Sequence, residues 1–127
     1  MDIIIVGNGV AGISCAFTAR ERDPDARITV VSGETDYFFS RTALMYAFMD
    51  VMPRRNLEPY EREVYDRKRI ERVRDWVVDL DATRQKVKLE SGRELGWDKL
   101  VFAVGARPNM FPWAGADAVR DGLVHFV

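Results

Sequence analysis

Residues 3–12 of the chain read IIIVGNGVAG, a β-branched run that passes directly into a glycine-rich turn. A continuous apolar run without polar alternation is typical of a strand buried on both faces of a parallel sheet. The residues after the turn are apolar at helical spacing until Pro24, and a second β-branched run follows. We therefore predict a strand over residues 2–6, a helix over about 10–22 and a strand over 27–32. This order forms a right-handed strand-helix-strand unit, the start of a parallel sheet.

The glycines of this segment form a G-x-G-x-x-G pattern, which indicates a site for the pyrophosphate of a dinucleotide. Gly7 permits the tight turn, Gly9 leaves room for a phosphate to approach the backbone, and Gly12 lets helix and strand pack closely. The free N–H groups of the first helical turn, including those of Val10 and Ala11, would hold the phosphate oxygens. The alternative is a glycine-rich turn that serves packing alone.

A ribose-binding acid is expected about 20 residues after this motif, at the end of the second strand. The residue at that spacing from Gly12 is Ser32, and Glu34 follows it closely. Glu34 is therefore the candidate for the ribose contact, with Ser32 as a second hydrogen-bonding group. Because the acid departs from the usual spacing, a cofactor with a phosphate on the ribose 2′ position remains an alternative.

The rest of the chain is predicted to extend the sheet and to add a small antiparallel unit. Residues 42–49 are apolar on every side, so a helix there would have to be enclosed by protein or by a ligand. Alternating charges with apolar residues at helical spacing predict an amphipathic surface helix over about 59–69. Short β runs at 73–79 and 85–89 predict a β-meander, and 99–104 has the pattern of another buried strand. The fold class is α/β: a Rossmann-like parallel sheet with helices on both faces and a small antiparallel β-meander.

Three separated segments resemble the flavin-binding half of the pyridine nucleotide-disulphide oxidoreductase superfamily. They are the glycine motif at 7–12, the sequence YFFSRTAL at 37–44 and the sequence LVFAVGARP at 100–108. The last is similar to the A-T-G-x-x-P element of that family, with valine in place of its threonine. The resemblance implies a FAD/NAD(P)-binding domain whose first strand-helix unit holds the adenosine diphosphate part of FAD. It also implies that part of the last segment lies at the cofactor, namely Ala103, Val104 and Gly105.

The same resemblance gives Arg41 a role, because it matches a family arginine that lies along the cofactor near the flavin. A guanidinium can bind two phosphate oxygens at once, which agrees with this role. The alternative is an arginine that caps a buried helix or faces solvent. The apolar segment 42–49 would face the flavin, or would equally serve as a core helix.

The resemblance implies a flavoprotein oxidoreductase with FAD as cofactor and NADH or NADPH as co-substrate. We expect residues 1–116 to form the N-terminal part of a FAD-binding domain. Residues 117–127 are expected to form a linker and the first strand of an absent NAD(P)-binding domain. The chain on its own is expected to be inactive and, through exposed sheet edge and apolar surface, prone to self-association. The alternative is a non-catalytic Rossmann-like module that holds a nucleotide without turnover.

Cysteine usage narrows the kind of redox chemistry. Family members that reduce disulphides carry two cysteines, and peroxidase or coenzyme A-linked members one, in the stretch that corresponds to residues 38–46. This chain has none there, so electrons are expected to leave the flavin directly, for a protein iron centre, a quinone or oxygen. Its single cysteine, Cys15, is predicted to be a small core residue of the first helix. One cysteine also suits a cytoplasmic protein.

Composition and spacing exclude several other classes of function. With 19 Lys and Arg against 20 Asp and Glu, the formal net charge is −1, so no field attracts nucleic acid. No apolar run approaches the roughly 18 residues that cross a bilayer. The lone His125 and the spread of the acids give no metal-ligand spacing, and no catalytic residue is assigned. Trp76, Trp97 and Trp113 are predicted to anchor the core or the linker and not to form stacking surfaces.

Overall fold

The computed structural model describes residues 1–106. Their elements in chain order are β1 (Asp2–Val6), α1 (Val10–Arg22), β2 (Arg27–Val31), a 3-10 helix (Arg41–Ala43), α2 (Leu44–Phe48), a second 3-10 helix (Arg54–Leu57), α3 (Glu63–Arg67), β3 (Ile70–Val73), β4 (Val77–Asp81), β5 (Lys86–Leu89), β6 (Glu94–Gly96) and β7 (Lys99–Phe102). Several predictions concern residues outside the described range 1–106. They are those for the end of the 100–108 segment, the domain boundary after 116, the strand within 117–127, Trp113 and His125.

A parallel sheet with the strand order β3-β2-β1-β7 forms the centre of the described fold. β1 pairs with β2 on one side and with β7 on the other, and β2 pairs with β3. The β-branched side chains of Ile3 to Val6 are all buried, and Ile5 is 0% exposed. A central strand that is covered on both faces requires such a continuous apolar run.

One face of the parallel sheet is covered by α1 and α3. Ile13 and Ala16 of α1 are fully buried against it, and Cys15 is half-buried and packs against the same cluster. Tyr65 of α3 is 1% exposed, and burial raises the pKa of its phenol. The Tyr65 oxygen accepts a hydrogen bond of 2.9 Å from the Phe38 N–H. This bond fixes the loop after β2 against the helical face.

The opposite face is covered by the antiparallel sheet of β4, β5 and β6. Val87 and Leu89 of β5 are 0% exposed and pack against Ile4, Val6 and Val31 of the parallel sheet. The predicted meander is therefore confirmed. The prediction of helices on both faces is wrong for residues 1–106, because the meander occupies the face where a second helical layer would lie.

The predicted bounds hold best in the first strand-helix-strand unit. β1 and α1 cover residues 2–6 and 10–22 as predicted, and β2 ends one residue early, at Val31. The surface helix predicted over 59–69 is reduced to α3. The residues that follow, Ile70–Val73, form a strand of the parallel sheet, and only Val73 of them lies in the β run predicted over 73–79. That strand lies at the edge, where half-exposed charged residues replace the apolar run of a central strand.

The apolar segment 42–49 forms the short helix α2, preceded by one 3-10 turn. Its side chains are not enclosed by the described residues, since Phe48 is 91% exposed and Met49 58%. The prediction that protein encloses this helix is therefore wrong for residues 1–106. The alternative, that a ligand encloses it, stays a prediction. Within the same part of the chain, none of the helices has the length and apolar character needed to span a membrane.

Candidate dinucleotide-binding site

The candidate site lies at the edge of the parallel sheet where its strands reach their carboxyl ends. Hydrogen bonds join neighbouring strand ends there: the Gly7 N–H donates to the Val31 carbonyl (2.8 Å), and the Ser32 N–H to the Val73 carbonyl (3.0 Å). The chain passes from β1 to β2 on one side and returns as β7 on the other side of β1. In open α/β sheets, ligands bind at such a reversal of strand order. The residues that follow β1 are therefore at the expected place for a ligand.

Two of the three motif glycines are required by the chain's own backbone. Gly7 has φ +107°, and a Cβ on it would overlap the carbonyl oxygen of Ala103. Gly12 is buried, and a Cβ on it would overlap the carbonyl oxygen of Gly7. The turn and the helix-strand packing predicted for these positions are both present.

The third motif glycine, Gly9, has no such internal requirement. Its φ is −80°, which any residue adopts, and a Cβ on it would meet no atom within 4 Å. The space in front of its backbone is open and adjoins the start of α1. This arrangement fits a phosphate group that approaches the backbone at Gly9.

The N-terminus of α1 presents donors that the helix does not use. Gly9 is the N-cap, no side chain caps it, and no acidic residue lies in the first turn. The N–H groups of Val10, Ala11 and Gly12 have no acceptor within the helix, and Val10 and Ala11 are exposed. These donors and the positive end of a 13-residue helix favour an anion such as a phosphate.

Asn8 adds a buried polar group at the same turn. It is 9% exposed, and its Oδ1 has no hydrogen-bond partner among residues 1–106. A buried polar atom without a partner costs free energy, and a bound group with hydroxyl donors would remove that cost. The turn at residues 7–12 therefore fits the pyrophosphate and ribose of a dinucleotide.

The structure brings the predicted ribose acid and the predicted cofactor arginine together. An Arg41 nitrogen lies 2.6 Å from a carboxylate oxygen of Glu34, and the two side chains are 59% and 51% exposed. The Glu34 N–H donates to the Ser32 hydroxyl at 3.4 Å. An exposed ion pair of this kind is worth about 0–1 kcal/mol, so an anionic or hydroxyl-bearing ligand can replace it at little cost. Glu34 thus links Arg41 to Ser32, the residue that follows β2.

The last predicted segment follows β7 at the same edge. The Ala103 N–H donates to the Val6 carbonyl at 2.8 Å, and Ala103 lies beneath the glycine turn. Val104 is 68% exposed, and Gly105 is exposed with φ +73°. Ala103 therefore supports the glycine turn, whereas Val104 and Gly105 present open surface beside it.

Sequence reasoning did not find a pocket of about 370 Å³ that borders Glu34. It is lined by charged and aromatic residues of the second 3-10 helix and of the loops around it, among them Asp36, Tyr37, Arg54, Glu58, Arg62 and Arg74. Arg62 donates two hydrogen bonds of 2.8 Å to Glu58, and they hold the pKa of that carboxyl below its usual value. The alternating charges in the sequence gave no signal of a pocket, because such a pattern is typical of a solvated surface. In residues 1–106, no three His, Cys, Asp or Glu side chains are grouped to hold a metal ion.

The family profile described as pyridine nucleotide-disulphide oxidoreductase matches residues 1–126. The chain belongs to this family. It is 32% identical over 135 residues to the NADH oxidase of Methanocaldococcus jannaschii, an alignment covering 97% of this chain and 29% of that protein. It is 31% identical over 119 residues to rhodocoxin reductase of Rhodococcus erythropolis, covering 92% of this chain and 28% of that protein. The chain thus spans under a third of either relative.

A solved structure supports the family's fold directly. The crystal structure of the covalent putidaredoxin reductase-putidaredoxin complex matches with a TM-score of 0.80 and 27% identity, over 97% of this chain and 34% of that chain. The α/β class, the Rossmann-like parallel sheet and the added meander are therefore confirmed. Residues 38–46 of this chain contain no cysteine.

Proposed function

We propose that the chain supplies the adenosine diphosphate part of the FAD site in a flavoprotein oxidoreductase. That enzyme would pass electrons from NADH or NADPH through the flavin to an acceptor without a cysteine couple. The observation that carries the proposal is the open space at Gly9, in front of the uncapped N-terminus of α1. Family membership supports FAD as the dinucleotide, since the family normally binds FAD and uses NAD(P)H.

Each predicted residue has a task in this proposal. The N–H groups of residues 9–12 hold the pyrophosphate, Glu34 and Ser32 bind the ribose, and Arg41 neutralises charge along the cofactor. Bound flavin would supply the redox chemistry, by accepting a hydride and releasing electrons. The part of this chain is binding and electrostatic tuning.

The acceptor is proposed to be an electron-acceptor protein or a quinone. The lack of a cysteine at residues 38–46 removes the thiol relay that the disulphide-reducing members use. Relatives named rhodocoxin reductase and rubredoxin-NAD(+) reductase support a protein acceptor, and one named sulfide-quinone reductase supports a quinone.

We also propose the domain layout and location predicted from the sequence. Residues 1–116 form the N-terminal part of a FAD-binding domain, and 117–127 form a linker and the first strand of an NAD(P)-binding domain. A cytoplasmic location is proposed on the cysteine usage. The exposed apolar side chains of α2 support self-association of the isolated chain.

Calorimetric titration of the 127-residue chain with FAD, NAD+ and AMP tests the proposed function. FAD is expected to bind with a Kd in the micromolar range or weaker, about −8 kcal/mol at best, because the chain spans under a third of the relatives that it matches. NADH-dependent reduction of ferricyanide is expected to be absent, because hydride transfer needs the nicotinamide held against the flavin. Preference for NAD+ over FAD would support the non-catalytic nucleotide module, and turnover of NADH would contradict the assignment of a single dinucleotide site.

Arg41→Ala is expected to weaken FAD binding by about 1.5–3 kcal/mol, the value of a charge-assisted hydrogen bond. The ion pair with Glu34 is exposed, so the folded state should lose little stability. Arg22→Ala is the matched control, because it removes the same charge from the far end of α1. An unchanged FAD dissociation constant for Arg41→Ala, measured beside the control, would remove Arg41 from the site.

A further inference from the structure

Trp76 has a large aromatic side chain that is not packed in the hydrophobic core. It lies between β3 and β4, is 57% exposed, and belongs to neither buried cluster. The sequence-based prediction of a core or linker anchor is therefore wrong for Trp76, whereas Trp97 packs against the cluster beneath the meander. More than half of the surface of Trp76 is thus exposed to solvent.

Gly33 makes room for this indole. A Cβ at Gly33 would overlap Cε2 and Cδ2 of the Trp76 ring. Gly33 is not among the glycines with positive φ, so its backbone conformation does not require glycine. The indole therefore occupies the space that a side chain of residue 33 would fill. Gly33 lies just after β2, between Ser32 and Glu34 in the sequence.

The backbone on both sides of Trp76 is held by hydrogen bonds. The Asp75 N–H donates to the Ser32 carbonyl at 3.2 Å, and the Glu90 N–H donates to the Trp76 carbonyl at 2.8 Å. The Trp76 N–H donates to Asp75 Oδ1 at 2.7 Å. These bonds tie the backbone of Trp76 to the end of β2 on one side and to the meander on the other, and the indole rests against Gly33.

The order of groups along the sheet edge matches the order of groups in a nucleoside diphosphate. The glycine turn follows β1, Ser32 and Glu34 follow β2, and Trp76 lies beyond the end of β3. Neighbouring strands are about 4.8 Å apart, so the edge from β1 to β3 is about 10 Å long. Phosphates over the glycine turn and a ribose at Glu34 would leave the base at Trp76.

We propose that Trp76 is the stacking surface for the adenine base and a determinant of how tightly this chain holds the adenosine diphosphate half of its cofactor. The inference rests on the proposed function, since it takes the pyrophosphate position at residues 7–12 as given. A base that stacks on an aromatic ring gains affinity without needing a hydrogen-bonding partner for each of its edges. Trp76 thus contributes to affinity and Glu34 to the ribose contact.

The test measures ADP and inorganic pyrophosphate binding to the 127-residue chain and to Trp76→Ala, Trp76→Phe and Val78→Ala. Val78 is the matched control, an exposed apolar side chain in the adjoining strand β4 (55% exposed). Trp76→Ala should weaken ADP binding about tenfold and leave pyrophosphate binding unchanged. Trp76→Phe should keep most of the ADP affinity, and Val78→Ala should keep all of it. ADP should also quench tryptophan fluorescence in the wild-type chain and not in Trp76→Phe.

The outcomes separate this inference from the proposed function. If ADP binds with equal affinity to the wild-type chain and to Trp76→Ala, the stacking role is wrong and the proposed function stands. If Trp76→Ala loses ADP and pyrophosphate binding together, the side chain acts on the fold and the stacking role is wrong. If neither ligand binds the wild-type chain at millimolar concentration, both proposals are wrong.

Discussion

Gly9→Val is expected to remove measurable dinucleotide binding while the fold stays intact. A valine side chain would fill the open space in front of Gly9 and keep a phosphate from the N–H groups of α1. Each lost hydrogen bond to a charged group is worth about 1.5–3 kcal/mol, so the loss of two or more weakens binding by over about 100-fold. Calorimetric titration with ADP measures this change.

The stability of Gly9→Val should change little, because no atom of the described chain lies within 4 Å of the added Cβ. Replacing glycine by valine at an N-cap costs up to about 1 kcal/mol. Gly96→Val is the matched control: Gly96 is exposed in β6, and a Cβ there has only an ordinary contact of 3.9 Å with the Gln85 carbonyl. Unchanged ADP affinity in Gly9→Val would show that the pyrophosphate site is misplaced.

Gly12→Val is expected to have the opposite profile, with a large loss of stability. The added Cβ would overlap the Gly7 carbonyl oxygen and lie 3.5 Å from the Ala103 Cβ. The backbone of Gly7 cannot move aside as a flexible side chain could. The overlap would therefore force α1 away from β1. We expect the free energy of unfolding to fall by about 3 kcal/mol or more.

Urea denaturation of Gly12→Val beside Gly9→Val checks this expectation. The two substitutions add the same side chain three positions apart in one motif, so their difference reports only on local surroundings. A Gly12→Val chain as stable as the wild type would mean that the helix-strand contact is looser than the structure has it. The pair thus separates the glycines that the fold needs from the glycine that a ligand needs.

The first strand-helix-strand unit was predictable because its signals are local. A β-branched run, a glycine turn and a polar stop before Pro24 set the bounds of β1 and α1 without reference to the rest of the chain. The meander was predictable for the same reason, since β5 alternates exposed and buried residues along its length.

β3 was not predictable because its pairing depends on distant residues. Arg20 of α1 donates hydrogen bonds to the carbonyls of Lys68 (2.7 Å) and Arg69 (3.0 Å), where the sequence pattern continues as a helix. Arg69 also has φ +50°, a conformation that ends α3 directly before the strand begins. The helix predicted to about residue 69 therefore ends at Arg67, and β3 begins at Ile70.

The glycine motif predicted the centre of the candidate site. The sequence did not predict how the residues around that centre are arranged. Glu34 and Arg41 were predicted separately, and only the folded loop brings them within 2.6 Å. Trp76 was predicted to anchor the core or the linker and not to form a stacking surface. The missing side chain of Gly33 instead gives the indole a place at the sheet edge, where Trp76 is exposed.

The central claim, that residues 7–12 hold the adenosine diphosphate half of FAD, is tested most directly by NMR titration of the 15N-labelled chain with ADP and, separately, with riboflavin. ADP is expected to shift the amide signals of residues 9–12 in a saturable manner, because their N–H groups would hold its phosphates. Riboflavin carries the flavin ring but no phosphate, so it should leave these signals in place at equal concentration. Saturable shifts of residues 9–12 with riboflavin, or none with ADP at millimolar concentration, would contradict the assignment.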